Sequence, residues 1–208
     1  MAIIPTPYCD AAGQAPALAL AVERLSAAGP LAENRLALQA EFFNTLLDAR
    51  SSGMIDATCR DGSTAMFIAV EVNESFCVEH LLRAGASATT LTAQGTSALH
   101  MCARMGHVGI LDCLLGAGVG LDVNHATRDL CTPLYIAASY GNARAVEALI
   151  AAGANLESRS ADGFTPMLAA ASHGHAATVD VLLCAGADPM ALGIADGSTA
   201  LWVASQQG

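Results

Sequence analysis

The chain of 208 residues contains no lysine, so its 9 basic side chains are all arginine and are outnumbered by 19 acidic ones. The formal net charge is −10 at pH 7. Affinity for nucleic acid and for anionic membranes depends on neutralising phosphates, which an acidic chain without a basic stripe does poorly. The charge therefore predicts no nucleic-acid partner and favours a protein partner with a basic surface.

Long apolar runs are missing as well, although 53% of the residues are hydrophobic. No stretch approaches the roughly 18 uninterrupted apolar residues that span a bilayer, because charges, glycine or proline interrupt each one. The segment from Met1 to Asp10 has no basic residue ahead of an apolar stretch and no glycine after Met1, so no secretory signal or myristoylation site is evident. We expect a soluble cytoplasmic protein without membrane insertion, with the nucleus as a second possible compartment.

Aromatic residues make up only 4% of the chain, and alanine supplies much of the apolar fraction. Alanine favours helices and lets them approach closely, but it buries little area per residue. The composition therefore predicts many short helices packed through small side chains rather than one large aromatic core.

The 7 cysteines are an odd number and include no Cys-x-x-Cys pair. Four of them lie in apolar segments that look helical, namely Cys77, Cys102, Cys113 and Cys184. This setting favours reduced, buried thiols in an intracellular protein over a disulfide framework or a zinc site.

One pattern recurs along most of the chain: Thr or Ser, then a small residue or Pro, then apolar residues. Its copies begin 33 to 35 residues apart, at Thr64, Ser97, Thr132, Thr165 and Thr199. Each of the first four is followed by a paired apolar step and a glycine, for example Leu182-Leu183 with Gly186. Between these two markers there is room for two helices of about nine residues, separated by breaks at Asn73, Gly106, Gly141 and Gly174.

Each repeat has signals for where its helices begin and end. The Thr or Ser is a natural cap of the first helix, and Pro133 and Pro166 occupy the first helical position, where the missing N–H is harmless. The glycine after the second helix can adopt the left-handed conformation that ends it. A pair of such short helices cannot bury its apolar face alone, so neighbouring repeats are expected to stack into a solenoid.

These residues resemble the ankyrin repeat family. The nearest match is Asp162-Gly163-Phe164-Thr165-Pro166-Met167-Leu168, followed by Gly174-His175, Leu182-Leu183 and Gly186-Ala187-Asp188. The resemblance covers about residues 55 to 208 and implies an all-α solenoid of stacked helix-turn-helix units with β-turn or hairpin-like loops. It also implies that His100 and His175 form hydrogen bonds that link neighbouring turns.

Two repeats depart from the family pattern. The third has Leu130 where the turn glycine is expected, and its longer spacing predicts a two-residue insertion around Val119 to Leu121. The first has Asn73-Glu74 in place of Gly-His. We expect locally altered turns in both.

The two ends of the chain differ from the central repeats. Residues 15–28 and 31–49 look helical and are divided by Gly29-Pro30, which predicts an N-terminal helical cap, a degenerate repeat, over residues 1–54. Residues 55–208 are expected to form about four full repeats and a truncated fifth. Because the fifth repeat stops at Gly208, we expect the chain to be a fragment of a longer polypeptide. The alternative is that a lone inner helix forms the final cap, in which case Trp202 would be exposed.

Catalytic and cofactor motifs are absent: there is no Gly-x-Ser-x-Gly, phosphate loop or glycine fingerprint between strand and helix. The nearest things to metal ligands are His173 with His175 and His100 with Cys102, which successive repeats would hold in different layers. We therefore predict no catalytic residue, metal site, cofactor or small-molecule substrate.

The resemblance implies that turns and inner helices line a concave groove that binds a protein or peptide. This predicts a non-catalytic interaction module, with Tyr140 and Phe164 as anchors because aromatic side chains and arginine dominate binding hot spots. Packing of these two residues against neighbouring turns is the structural alternative. The predicted partner-binding residues are Arg60, Ser63, Glu71, Val72, Thr96, Arg104, Met105, Arg128, Tyr140, Phe164 and His173.

Two other functions stay open at this point. The repeats could be a targeting or regulatory segment of a larger enzyme or channel whose remaining domains lie beyond residue 208. Asn124, in Leu121-Asp122-Val123-Asn124, could also be a hydroxylation acceptor, since this sequence resembles the loop that asparaginyl hydroxylases modify in such repeats.

Overall fold

The structure, a computed structural model, describes residues 16–28, 34–59, 62–118 and 120–191. Within these ranges all regular secondary structure is helical, and the residues fall into two compact units divided between Ala93 and Gln94. The first unit contains α1 (Ala17–Ala28), α2 (Arg35–Ser51), α3 (Ala65–Glu71) and α4 (Ser75–Ala84). The second contains α5 (Ala98–Met105), α6 (Val108–Gly116), α7 (Pro133–Ser139), α8 (Ala143–Ala151), α9 (Pro166–Ser172) and α10 (Ala176–Cys184).

In the second unit the helices form two layers. The inner helices α5, α7 and α9 pack on one another in sequence, the outer helices α6, α8 and α10 do the same, and each inner helix packs on the outer helix that follows it. This arrangement confirms the predicted stack of helix-turn-helix repeats. Leucines such as Leu99, Leu134 and Leu149 are fully buried between the layers, together with many alanines, so small side chains do permit the close packing.

The first unit has the same plan. Helix α1 packs on α2 and on the inner helix α3, and α2 packs on the outer helix α4, so α1 and α2 occupy the inner and outer positions of a repeat. Both predicted helices of the cap are present, although α2 begins and ends later than expected. The boundary at residue 54 stays a prediction, as does the truncated fifth repeat with Trp202, which lies outside the described residues.

The predicted caps are present at the four inner helices that the structure describes. The hydroxyl oxygens of Thr64, Thr132 and Thr165 accept a hydrogen bond from the backbone N–H three residues later, at 3.2 to 3.3 Å. Ser97 caps α5 together with His100, whose Nδ1 accepts a hydrogen bond from the Ser97 backbone N–H at 3.2 Å. Each cap satisfies a donor that a helix start would otherwise leave without a partner.

The predicted breaks between inner and outer helices are also confirmed. Asn73, Gly106, Gly141 and Gly174 all have positive φ, between 59° and 72°. Asn73 is the non-glycine residue among them, and asparagine tolerates this conformation better than most residues do. The sharp turn therefore survives the loss of the expected glycine in the first repeat.

Hydrogen bonds across the breaks join consecutive repeats of the second unit. The side-chain amide of Asn142 donates to the carbonyl oxygens of Ala103 and Arg104, at 2.7 and 2.9 Å. His175 Nε2 lies 3.1 Å from the carbonyl oxygen of Ser139. These acceptors are at the end of the preceding inner helix, where carbonyls lack partners within the helix. The bond implied for His175 is thus confirmed.

His100 makes the other implied link. Its Nδ1 accepts from Ser97, so Nε2 carries the proton and donates to the carbonyl oxygen of Cys131 in the next turn, at 3.1 Å. The side chain is buried, with the ring of His125 edge-on at 5.8 Å. Burial lowers the pKa of His100 from its ordinary 6.5 to about 4, so the ring is neutral at physiological pH.

The first unit replaces the Gly-His link with an ion pair. The Glu74 carboxylate accepts from the guanidinium of Arg35 at 3.0 Å, and both side chains are mostly buried. A pair this far from solvent needs both partners, because either charge left alone would keep its full desolvation penalty. The pairing explains how this repeat forms without the expected histidine.

The cysteines are more varied than predicted. Cys77 and Cys102 are buried as expected, and burial raises the pKa of both thiols to about 12. Cys113 is only half-buried, however, and Cys184 is exposed, so the prediction of buried thiols is wrong for Cys184. It is the last residue of the outer helix α10.

Neither a metal-binding cluster nor a membrane-spanning helix is found in the part of the chain that the structure describes. The described ranges contain no group of three or more His, Cys, Asp or Glu side chains arranged to hold a metal ion. No helix in them is long and apolar enough to cross a membrane.

Two glycines allow a matched test of the contact across the break. Gly141 and Gly153 both have positive φ, but a Cβ atom at Gly141 would lie 2.6 Å from His175 Nδ1, whereas one at Gly153 would meet nothing within 4 Å. We expect each alanine substitution to lower the free energy of unfolding by about 1 to 2 kcal/mol through the left-handed backbone. In urea unfolding, the free energy of unfolding should fall by about 1 kcal/mol more in Gly141→Ala, because the new methyl group displaces His175 and breaks its hydrogen bond to the Ser139 carbonyl. Equal losses would show that this contact does not hold the repeats together.

The lowered pKa of His100 predicts a pH dependence of stability. Between pH 6.5 and about 4 the unfolded chain binds this proton more readily than the folded one, so stability falls as the pH falls through that window. The complete loss is at most about 3 kcal/mol. Urea unfolding of wild type and His100→Gln from pH 8 to pH 4 measures it, with a shallower pH dependence expected in the variant. Parallel curves would contradict the role of His100.

Candidate functional site

Three exposed side chains recur at the same position of consecutive repeats in the second unit. Met105 is the last residue of α5, and Tyr140 and His173 directly follow α7 and α9. All three are exposed, and Tyr140 retains 58% of its accessible surface. Because α5, α7 and α9 pack side by side, these residues form a row along the ends of the inner helices, which we call the exposed row.

The fold does not depend on the Tyr140 side chain, whereas the His173 ring also forms a hydrogen bond within its own repeat, with Nδ1 2.8 Å from the Ala169 carbonyl oxygen. The Tyr140 backbone N–H donates to the Ile136 carbonyl at 3.0 Å, so the helix end is satisfied by main chain alone. The link to the neighbouring repeat is made two residues later, by Asn142. The predicted alternative, that Tyr140 serves mainly to pack against a neighbouring turn, fits poorly with its exposure.

Charge is segregated between the two sides of the second unit. The inner-helix ends carry Arg104 beside Met105, and the residues next to Tyr140 and His173 are serines. The outer helices expose one carboxylate each, at Asp112, Glu147 and Asp180, and α8 also exposes Arg144. A bound partner would therefore meet apolar and neutral groups with one arginine at the inner-helix ends, and mostly negative charge on the outer helices.

The turns next to the inner helices hold three of the other predicted residues. Arg128 is exposed, while Thr96 and Phe164 are half-buried. Phe164 is fixed by Ser160, whose backbone N–H donates to the Phe164 carbonyl at 3.0 Å and whose hydroxyl accepts from the Phe164 N–H at 3.3 Å. Phe164 therefore offers less surface to a partner than Tyr140 does.

The remaining predicted site residues lie in the first unit and contribute less. Ser63 is buried, with only 1% of its surface accessible, and cannot contact a partner in this structure; we leave it out of the proposed surface. Glu71 and Val72, at the end of α3, are half-buried. Arg60 lies outside the described residues.

Leu130 is a surface residue that the sequence did not indicate as a partner contact. It has φ of 56° and exposes 54% of its surface at the tip of a turn. A leucine in the left-handed region is costly, because its Cβ crowds the following carbonyl. The absence of the expected turn glycine is the sequence signal that marks this position.

Asn124 has a structural role in the loop. Its Oδ1 accepts a hydrogen bond from the backbone N–H of Asn155 in the next repeat, at 2.7 Å, and its own backbone N–H donates to the Asp122 carboxylate at 2.9 Å. Asn155 and Asn124 therefore tie two successive loops together. Hydroxylation of Asn124 stays a prediction.

Comparison with known proteins agrees with this geometry. A protein-family model described as ankyrin repeats matches the chain in 3 copies, at residues 35–127, 114–192 and 136–208. The chain therefore belongs to the ankyrin repeat family, and its fold is an all-α ankyrin-repeat solenoid. The first match begins within the predicted cap, which is consistent with α2 acting as the outer helix of a degenerate repeat.

Several curated relatives contain a similar stretch. The chain is 35% identical over 107 residues to the Nuclear factor NF-kappa-B p105 subunit of Gallus gallus, covering 51% of this chain and 11% of the relative. It is 32% identical over 94 residues to NF-kappa-B inhibitor zeta of Homo sapiens, 43% of this chain and 13% of that protein. NF-kappa-B inhibitor delta of Mus musculus is 30% identical over 96 residues, 46% and 29% respectively.

The chain is similar to these proteins, and the match spans less than a third of the length of each of them. Family and relatives together support a protein–protein interaction module. They do not specify which residues of this chain contact a partner.

The strained turn at Leu130 gives a stability prediction. Leu130→Gly should raise the free energy of unfolding by about 1 kcal/mol, because relief of the left-handed strain outweighs the added entropy of the unfolded chain. Asp129→Gly, one residue earlier and without a positive φ, should lower it by about 0.5 to 1 kcal/mol. Thermal or urea unfolding of the two variants tests this prediction. A lower free energy of unfolding in Leu130→Gly would mean that the leucine side chain stabilises the turn.

Proposed function

We propose that this chain is a non-catalytic module that binds a protein or peptide along the inner-helix ends and adjacent turns of the second unit. The exposed row supplies the main contacts, with Tyr140 as the principal anchor. The other predicted residues of this unit extend the surface, with Arg104 next to the row and Thr96, Arg128 and Phe164 in the turns that precede the inner helices. Leu130 is added at the tip of the third turn.

The observation that carries this proposal is the exposed row itself. Three consecutive repeats leave a large side chain exposed at one equivalent position, and at Tyr140 the backbone N–H and the link to the neighbouring repeat are satisfied without that side chain. Tyrosine contributes much contact area with few rotatable bonds, which makes it effective at the centre of an interface.

The relatives suggest a first partner to test. Two of them are named as inhibitors of NF-kappa-B, and a third is named as an NF-kappa-B subunit. A protein of the NF-kappa-B type is therefore the first candidate. Placement of these repeats in a larger enzyme or channel, the cytoplasmic location and the lack of nucleic-acid binding stay predictions.

The binding test compares wild type with the double variant Met105→Ala/Tyr140→Ala. Binding to purified NF-kappa-B is measured by calorimetry or surface plasmon resonance, and if it does not bind, a partner is first captured from a cell lysate with the wild-type chain. We expect the double variant to raise Kd at least about tenfold, or about 1.4 kcal/mol. Both side chains are exposed, so the fold should be kept.

Leu183→Ala is the matched control, since it truncates an exposed apolar side chain on the outer helix α10. Its Kd should equal that of wild type. Equal affinity of the double variant and wild type, or an equal loss in the control, would rule out the exposed row as the binding surface.

A further inference from the structure

The outer helix of the first unit carries a second apolar face. Leu36, Ala40, Phe43 and Leu47, spaced by four, three and four residues along α2, lie on one side of the helix, and we call them the α2 stripe. All four are exposed, with Leu36 retaining 80% and Leu47 62% of their accessible surface.

The buried core of the unit uses the other side of α2. Helix α2 contributes Phe42 and Leu46 to the core from its other side, and both are buried. The outer helices of the second unit expose Asp112, Glu147 and Asp180 instead of a row of large apolar residues. A helix that is apolar on both faces usually buries both, and an exposed apolar patch of this kind marks an interaction site.

The centre of the stripe is held in place by its neighbours on α4. The ring of Phe43 packs edge-on against Phe76, with centroids 5.6 Å apart, and against His80 at 4.8 Å. The His80 ring is in turn fixed by a hydrogen bond between its Nδ1 and the Phe76 carbonyl, at 2.8 Å. Little side-chain entropy is then lost when a partner covers Phe43.

The order of residues in the stripe indicates what covers it. If a second α2 is laid antiparallel across the first, with a two-fold axis between positions 41 and 42, Leu36 lies opposite Leu47 and Ala40 lies opposite Phe43. Each large ring then meets a small alanine, and the contact has even thickness along its length. A parallel arrangement would set Phe43 on Phe43 and leave a gap at Ala40. The stripe thus complements itself, which a closed two-fold interface requires.

The charges of α2 permit the same pairing. The helix carries two arginines, Arg35 and Arg50, and two acidic residues, Glu41 and Asp48, so its side-chain charges sum to zero. Two copies of a chain with net charge −10 repel one another, and α2 is a face where that repulsion is locally absent.

We propose that the α2 stripe is a homodimer interface on which a second copy of this chain docks antiparallel. One helix face per copy buries less than the roughly 1,200 Å² of most stable complexes, so the dimer is weak, with Kd in the micromolar range. The interface belongs to the first unit and does not depend on the partner surface proposed for the second.

Sedimentation equilibrium of the full chain, from about 1 to 300 μM, tests the proposal. We expect wild type to pass from monomer to dimer over this range and Leu36→Gln/Leu47→Gln to stay monomeric. Met54→Gln, which replaces another exposed apolar residue of the same unit, should dimerise like wild type. A monomeric wild type, or a double variant that dimerises equally well, would overturn the proposal.

A cross-linking experiment tests the antiparallel arrangement and needs no loss of stability. In a Cys184→Ser background, which removes the exposed thiol of α10, Leu36→Cys and Leu47→Cys chains are mixed under mild oxidation. We expect a disulfide between positions 36 and 47 of different chains in the mixture, identified by mass spectrometry, and little cross-linking in either chain alone. Self-cross-linking as efficient as that of the mixture would overturn the two-fold pairing.

Discussion

The last carbonyl groups of an inner helix have no partner within their own helix, and for α5 and α7 the next repeat supplies the donor. The Asn142 amide reaches the end of α5, and the His175 ring reaches the end of α7. Each bond fixes the position of one short helix pair on the one before it. Apolar burial alone could tolerate sliding between layers, whereas a hydrogen bond to a helix end has one geometry, so these bonds set the spacing of the repeats.

These bonds between repeats explain where a partner surface is available. At Gly141 and Gly174 the residue that follows the break bonds to the preceding repeat, whereas the residue that precedes the break takes no part in that link. Met105, Tyr140 and His173 occupy the position before a break. Different relatives can therefore keep one scaffold and present different side chains, which is why family membership establishes the architecture while the partner depends on the particular residues.

Features that depend on local chemistry were predictable from the sequence. Helix caps such as Thr132 and breaks such as Gly141 follow from hydrogen bonding and backbone sterics within a few residues. Exposure was not predictable in the same way, because it depends on neighbours distant in sequence: Ser63 proved buried and Cys184 exposed. The ion pair between Arg35 and Glu74 joins residues 39 positions apart, and no local pattern indicates it.

The central claim is that the inner-helix ends of the second unit bind a protein partner while the outer helices do not. Hydrogen–deuterium exchange of the full chain, with and without the bound partner, tests it without altering any side chain. The account predicts slower exchange at the ends of α5, α7 and α9 and in the turns that precede α7 and α9, with α6, α8 and α10 unchanged. Protection confined to the outer helices, or to the first unit alone, would contradict it.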